Sequence, residues 1–590
     1  VPVLSLQVSL ARGEKLIFRE KCASLFLQKA ENKQIECLTC ECLARRSPTL
    51  NTGTCSFERR RKPPCRMKLL LMMAAALGGG SAFAQNVYSS TDTLWVPFLH
   101  GVASGDPLGD RVILWTRLTL SEESPDTVWL SWYVATDTLF QNALRSGTAF
   151  THAGRDYTVK VDADGLQPDT WYYYRFEYNG LLSPIGRTRT LPIGDVERLR
   201  LAVVSCADYQ RGYYHAYRDL ALRNWADVVL HLGDYLYEYP EASLLPDRQH
   251  RPPHETVTLQ DYRQRHAQYK QDKDLQLLHR QLPMIAVWDD HEIANNAWAN
   301  GAQNHLEDAE GPWEARKRAA KQAYFEWMPV REDAAAEGEI YRKFAFGRLL
   351  SLYMLDTRLE GRSKQGSFLS LKKNRRELLG PRQLEWLSSQ LRRDSARWTV
   401  LGQQVMMAPL RLFGLALNAD QWDGYRHQRR RLYDSLLLHT RNLIVLTGDL
   451  HTAWACDLPL NNYMPFTGEN TAGVEFVATS ITSAKIRSVN LSAVMQWMNP
   501  HVKFADLKRY GYFILDVTPE RAQAEFIFID DVEKPTYTTT IGPAWATWHG
   551  SRHLVPAALS TPPTYPPLAP AHSPQKVQLL PPAALQAAEK

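Results

Sequence analysis

The stretch Asp227 to Tyr239, DVVLHLGDYLYEY, decides the reading of the chain. An apolar run (Val228, Val229, Leu230, Leu232) stops at Gly233, and Asp234 and Tyr237 follow at once. Buried parallel strands are apolar on both faces, and in open α/β sheets ligands sit beyond their carboxyl ends. The pattern recurs three times: LAVVS runs into Cys206 and Asp208, MIAVW into Asp289, Asp290, His291 and Glu292, and LIVLT into Gly448, Asp449, Leu450 and His451. Four apolar strands ended by thiol, carboxylate, phenol or imidazole point to one shared metal site.

Each motif also has a plain reading. A Gly-Asp pair can be a turn, Asp289, Asp290 and Glu292 can cap a helix, and a lone cysteine is often a small buried hydrophobe. Four coincident strand ends are harder to dismiss, because the chain carries no P-loop and no dinucleotide-binding G-x-G-x-x-G. HEIAN at 291–295 lacks the second histidine of a zinc-protease helix.

Outward from these strands, residues 198–531 alternate apolar strands with helical patterns, namely Gly212–Ala226, Leu259–Gln281, Trp313–Met328 and Pro381–Asp394. This predicts an α/β layered domain with a largely parallel, mixed core, to which FVATSIT, GYFILDVT and AEFIFID add strands. Residues 96–193 hold short β-rich runs (RVILWTRL, VWLSWYVA, YTVKVD, WYYYRFEYN) at the spacing of a β-sandwich. Their aromatics could mark a carbohydrate-binding face, but packing is the stronger reading. Residues 532–590 form a C-terminal segment that ends in a proline-rich tail, and this tail, with nine prolines in 555–590, is expected to be unstructured or to lie over the surface.

The net charge of +6 does not call for nucleic acid, because residues 1–66 hold 13 Lys/Arg against 6 Asp/Glu and the chain from Gln85 onward carries −2. Six of the eight cysteines also precede residue 67, leaving Cys206 and Cys456. Met67 begins MKLLLMMAAALGGGSAFAQ, which reads as a secretory signal peptide (67–84) with an Ala82-x-Ala84 cleavage site, too short to span a bilayer. Residues 1–66 then read as an upstream extension without a folded role. A twin-arginine reading of Arg59-Arg60-Arg61 is weakened by Pro63 and Pro64. The expectation is an exported monomer without a transmembrane segment. In an oxidising compartment Cys206 and Cys456 could instead form a disulfide.

Thiolate, phenolate and carboxylate together supply three anions, which suits a trivalent ion such as ferric iron. Asp290, Asn295, Asn296 and Asp449 offer hard oxygens for calcium, magnesium or manganese, and zinc also remains open. Asp234 is the natural bridge between two ions, the usual device for displacement at phosphorus.

The set Gly233-Asp234-x-x-Tyr237, Trp288-Asp289-Asp290-His291-Glu292 with Asn295-Asn296, and Gly448-Asp449-x-His451 resembles the calcineurin-like metallophosphoesterases, and most closely their PhoD-type alkaline phosphatase/phosphodiesterase branch. Leu355-Asp356-Thr357-Arg358 and Gln421-Trp422-Asp423-Gly424-Tyr425 also look like that branch, and Leu166-x-Pro168-x-Thr170-x-Tyr172 resembles a fibronectin type III corner. The resemblance implies a four-layer α/β sandwich preceded by a fibronectin/Ig-like β-sandwich. It implies ferric iron on Cys206, Asp234, Tyr237 and His451, and calcium at Asp234, Asn296 and Asp449. Metal-activated water would attack phosphomonoesters or phosphodiesters, small or polymeric. His291, as a neutral imidazole, would orient the phosphate or protonate the leaving alkoxide. Arg358 would grip a phosphate oxygen or else form a structural ion pair. A phospholipase D-like activity and a cell-surface polymer-binding protein with a non-catalytic α/β domain are the rival readings.

Overall fold

The computed structural model describes residues 96–570 apart from 121–124, 142, 244, 333–337, 367–375, 437–439, 441 and 486–490. The expected signal peptide, the upstream cysteines and the end of the proline-rich tail lie outside the described residues.

The apolar runs become strands of two mixed sheets. In a ten-stranded sheet, Leu199–Val204, Val228–His231 and Met284–Ala286 are parallel neighbours. Tyr510–Val517 pairs antiparallel with the outer edge of Leu199–Val204, and Arg521–Ile529 follows it. In a seven-stranded sheet, Leu350–Met354, Trp398–Gln403, Leu443–Thr447 and Thr471–Val477 are parallel. Alternation along these strands sorts their side chains by face. Leu352, Val400, Ile444 and Phe476 join the core of the first sheet, whereas Tyr353, Leu401 and Val445 pack with Leu384, Leu387 and Leu432 of helices Gly380–Arg393 and Arg426–Leu436. Helices His215–Arg223 and Lys273–Gln281 pack on the first sheet through Tyr217, Leu220, Leu275 and Leu278. The mixed core is thus two facing sheets with helices outside them, the arrangement at the centre of the expected four-layer sandwich, although no local pattern announces which strands pair.

Neither expected domain boundary interrupts the first sheet. Val102–Gly105, Val112–Arg117 and Thr158–Ala163 extend it from Met284–Ala286, with Gly105 opposite Met284. A Cβ on Gly105 would sit 2.5 Å from the Met284 carbonyl oxygen and 2.3 Å from that of Pro329, so the junction requires glycine. The separate sheet of Thr127–Ala135, Ala143–His152, Trp171–Tyr178, Leu181–Leu182 and Gly186–Arg189 packs across these strands through Val128, Leu130, Val134, Tyr174 and Phe176. The Tyr172 hydroxyl accepts a 2.9 Å hydrogen bond from the Gln167 N–H at the corner the sequence singled out.

At the other end, Thr539–Trp548 and Val555–Ala557 carry the sheet past residue 531. Of the two expectations for the tail, its first part meets the one that lays it over the surface, as a short strand followed by a bound strap. The Pro567 carbonyl accepts from Tyr173 Oη at 2.6 Å, that of Pro566 from Arg187 Nη1 at 2.8 Å, and Ala569 exchanges two bonds with the Gln281 amide. The helix expected over Leu259–Gln281 is two helices, Leu259–Lys270 and Lys273–Gln281. It breaks where Asp272 accepts the N–H groups of Asp274 and Leu275 as an N-cap. Among the described residues no helix is long and apolar enough to cross a membrane.

Candidate metal centre and active site

The parallel strands of both sheets deliver their carboxyl ends to one place. Cys206, Asp234 and Asp289 follow strands of the first sheet, and Arg358, Gln404 and Asp449 follow strands of the second. Gln404 stitches the two together: its amide donates to the Trp288 and Leu355 carbonyls at 2.8 and 2.9 Å and accepts the Thr357 N–H at 2.9 Å. The turns are tight. Cys206 (φ 62°), Asp234 (φ 55°), Asn296 (φ 52°), Asp449 (φ 59°) and His451 (φ 59°) all adopt the left-handed region. For residues with a Cβ this region is costly, and such strain clusters at functional sites. Gly233, at φ 99°, has no alternative, because a Cβ there would lie 2.4 Å from that of Asp289.

Cys206 Sγ, an Asp234 oxygen and a His451 nitrogen lie within 4.8 Å of one another, as do Asp234, Asp290 and His291, and Asp289, Asp290 and Asp449. The three groups overlap through Asp234 and Asp290. The Tyr237 hydroxyl donates to Asp234 Oδ2 at 2.8 Å, lies 3.2 Å from His451 Nε2 and accepts from Ser483 Oγ at 2.6 Å. Asp234 Oδ1, Asp289 Oδ2 and Asp290 Oδ1 are buried without a hydrogen-bond partner, a state buried carboxylates avoid unless a cation or proton meets them.

The electrostatics fit that deficit. Burial and the nearby Asp234 push the Cys206 thiol and the Tyr237 phenol well above their ordinary values. Burial also raises Asp289 and Asp290, and Asp449 to about 6, against the pull of Arg358. Burial works the same way on Asp234, but the charge on His291 and the bonds to His451 and Tyr237 outweigh it, so this carboxyl is held low. Such donors become full anions when a metal ion replaces the proton.

His291 is not poised as a neutral imidazole: its Nδ1 lies 2.7 Å from Glu238 Oε2, and Glu238, Asp290 and Asp234 overcome burial and hold its proton well above the usual range. The ring is fixed by stacking on Tyr237 at 4.2 Å. Arg358 does not face open space. Its guanidinium is fully buried and bonds Asp289, Asp420 (2.6 Å) and Asp449 (2.7 Å), with Asp290 at 3.4 Å, which is the structural ion pairing that the sequence left open beside a grip on phosphate. The disulfide alternative also falls, since Cys206 and Cys456 are both free and Cys456 packs into the core on the outer side of the second sheet.

Asn296 stands beside the cluster, its N–H donating to Asp290 Oδ2 and its amide nitrogen to Gln303. Sequence reasoning missed Glu238, Ser483, Asp420 and Gln404. Glu238 adjoins Tyr237 in the opening stretch, and Asp420 adjoins the Gln421–Tyr425 motif, but a lone Glu or Asp beside a motif carries no chemical signal of its own. Glu292 turns out to be a backbone anchor, accepting the N–H groups of Asp234 (3.1 Å), Tyr235 (2.7 Å) and Asp289 (2.8 Å) and so locking two strand ends together.

Residues 201–526 match the family model for PhoD-like phosphatase, and residues 84–192 match that for the PhoD-like phosphatase N-terminal domain. Alkaline phosphatase D of Bacillus subtilis (strain 168) is 38% identical over 471 residues, which cover 74% of this chain and 79% of that protein. A solved structure of PhoD superposes with a TM-score of 0.72 at 36% identity, covering 79% of this chain and 93% of that one. On this likeness of sequence and fold, the chain belongs to the PhoD-like phosphatases and is a phosphoesterase.

Proposed function

We propose that this phosphoesterase is exported and metal-dependent, and that it hydrolyses phosphomonoesters, phosphodiesters or both. Export rests on the hydrophobic segment and Ala82-x-Ala84 site of residues 67–84. Metal dependence rests above all on three buried carboxylate oxygens without a hydrogen-bond partner, two of them also without an ion pair, inside overlapping clusters of donors.

The donor set divides by chemistry. Cys206, Asp234, Tyr237 and His451 would hold ferric iron, and Asp234, Asn296 and Asp449, with Asp290 beside them, would hold calcium. Zinc, magnesium or manganese would suit the oxygen donors as well. The Asn296 amide nitrogen is taken by Gln303, which leaves its oxygen available. When bound, the metals supply charge neutralisation at the phosphoryl oxygens and an activated water as nucleophile.

The chain's own residues do the rest. His291, whose Nδ1 lies 2.7 Å from Glu238 Oε2, can bond a phosphoryl oxygen or give a proton to the leaving alkoxide, and its stack on Tyr237 fixes the ring. Arg358 keeps Asp289, Asp420 and Asp449 in register, so that their oxygens face the centre without mutual repulsion driving them apart.

Colour tests the iron assignment. Phenolate and thiolate donate electron density into ferric iron, giving a visible absorption band that zinc, calcium and magnesium cannot give. Purified protein is expected to absorb in the visible, Tyr237→Phe to shift or bleach the band, and Cys206→Ser to weaken iron retention while Cys456→Ser does little. A colourless, iron-free enzyme fully active with calcium or zinc alone would overturn it.

A further inference from the structure

Among the described residues the four most exposed large apolar side chains are Phe466 (96%), Phe413 (80%), Trp497 (79%) and Leu415 (73%). They come from three segments that meet around one groove of about 610 Å³, walled in part by Arg411, Arg429, Arg430 and Met498. Phe413 and Leu415 sit on the hairpin joining Arg411–Leu412 to Leu415–Ala416, and Trp497 on helix Ser492–Met498. Phe466 lies in the loop between Ala453–Pro459 and Thr471–Val477.

The three segments are rigidly tied. Asn499, which caps the helix, accepts the Arg411 N–H at 2.9 Å and donates to its carbonyl at 3.0 Å. Gln496 donates to the Lys503 carbonyl at 2.9 Å, and Lys503 Nζ donates to that of Pro465 at 2.7 Å. The helix turns Met495 inward and Val494 and Trp497 outward, so it is apolar on both faces although only one is covered. The hairpin tip, Phe413-Gly414, has both residues at positive φ (50° and 80°). Such a tip favours Asn-Gly, and an aromatic there accepts backbone strain without gaining a packing contact.

Charge says what covers the patch. Among the described residues Arg411 and Arg430 have no carboxylate partner, Arg429 is paired with Asp423, and Asp434 is the one acidic side chain in the groove wall. Glu469 lies on the loop beyond it. Apolar tips on the three segments beside a groove walled by Arg411 and Arg430 match an anionic lipid surface, where aromatic and aliphatic tips enter the headgroup boundary and arginines meet phosphates. We propose that this face docks the enzyme peripherally on an anionic phospholipid membrane. The hairpin continues within a few residues into Asp420 and Gln421 of the active site, so docking would bring the centre to esters at that surface.

Sedimentation with vesicles tests this without recourse to catalysis. Wild type is expected to bind phosphatidylglycerol/phosphatidylcholine vesicles, and high salt to weaken binding. The triple variant Phe413→Ser, Phe466→Ser, Trp497→Ser should bind about tenfold or more weakly, and Arg411→Glu with Arg430→Glu should lose the preference for anionic lipid. All variants should hydrolyse a soluble p-nitrophenyl ester normally, which shows that they fold. Three results would overturn the proposal: no vesicle binding by wild type, equal binding by the triple variant, or equal affinity for pure phosphatidylcholine. So would a lipid-free dimer, seen by light scattering, that the triple variant abolishes.

Discussion

The strand Leu199–Val204 has a buried ion cluster at each end, and the two are built on opposite principles. At its start, Arg189, Arg198, Arg200 and Arg521 face Asp169, Asp227, Asp516 and Glu525, four against four. Arg200 also donates to the Trp225 carbonyl at 2.8 Å, and Glu525 Oε1 accepts from Gln523 at 2.8 Å and from the Ser560 N–H at 2.7 Å. Beyond its far end, Asp234, Glu238, Asp289, Asp290, Asp420 and Asp449 outnumber Arg358, Arg362 and His291. A balanced cluster holds a fold together. An unbalanced one is stable only with added cations or retained protons, and burial accordingly raises the pKa values of Asp289, Asp290 and Asp449 against the pull of Arg358.

The contrast breaks most sharply on exchanging one carboxylate at each end. Asp234→Asn is expected to cost on the order of 4 kcal/mol or more in transition-state stabilisation. Asp516→Asn should leave kcat unchanged and lower stability by about 1–3 kcal/mol, because Arg198 and Arg200 lose the negative charge they share. Turnover of p-nitrophenyl phosphate and thermal denaturation measure the two, and near-normal turnover by Asp234→Asn would dissolve the distinction. Next in size, Arg358→Met leaves several buried carboxylates facing one another and should destabilise the protein by about 3 kcal/mol in denaturant titration. An unchanged midpoint would show that Arg358 does not organise them.

Glu238→Gln removes the group that holds the His291 proton. A ten- to hundredfold fall in kcat, about 1.4–2.7 kcal/mol, is expected, with KM little changed. The alkaline limb of kcat should move to lower pH, since a principal cause of the raised histidine value is gone. An unmoved limb would mean that Glu238 positions the ring without setting its charge.

The smallest effect concerns a third way of burying an ionisable group, which is to leave it neutral. Burial holds His501 at about 4, with its Nε2 2.8 Å from the Pro409 carbonyl oxygen. Its folded value lies below that of the unfolded chain, so this stability is present above the ordinary histidine range and is lost as pH falls towards 4. At pH 5.5 the loss is about 1 kcal/mol. His501→Gln should flatten that acid limb in pH-dependent melting, and an equally steep limb in the variant would refute the assignment.

Much of the site was legible because its residues punctuate apolar runs: Gly233-Asp234, Asp289-Asp290-His291 and Gly448-Asp449 each stop a strand of uniform hydrophobicity. What was not legible depends on which strands face or pair. Nothing local says that Met284 pairs with Gly105, or that Leu443–Thr447 belongs to a second sheet. Helix Arg426–Leu436 is missed because its arginines blur the apolar period, and Ser492–Met498 because seven residues are too few to display one. The partners of the central residues were invisible for a related reason. Glu238, Asp420, Gln404 and Ser483 act through contacts made at a distance in sequence, so residue type alone cannot mark them.

The central claim is that the charge imbalance beyond Leu199–Val204 exists to be met by metal ions. Elemental analysis of the purified protein, run beside Asp234→Asn, tests it most directly. The account predicts more than one metal ion per wild-type chain, iron among them, a marked loss of metal in Asp234→Asn, and a metal content in Asp516→Asn equal to wild type. A wild-type protein that keeps full activity after chelation with no bound metal would contradict it.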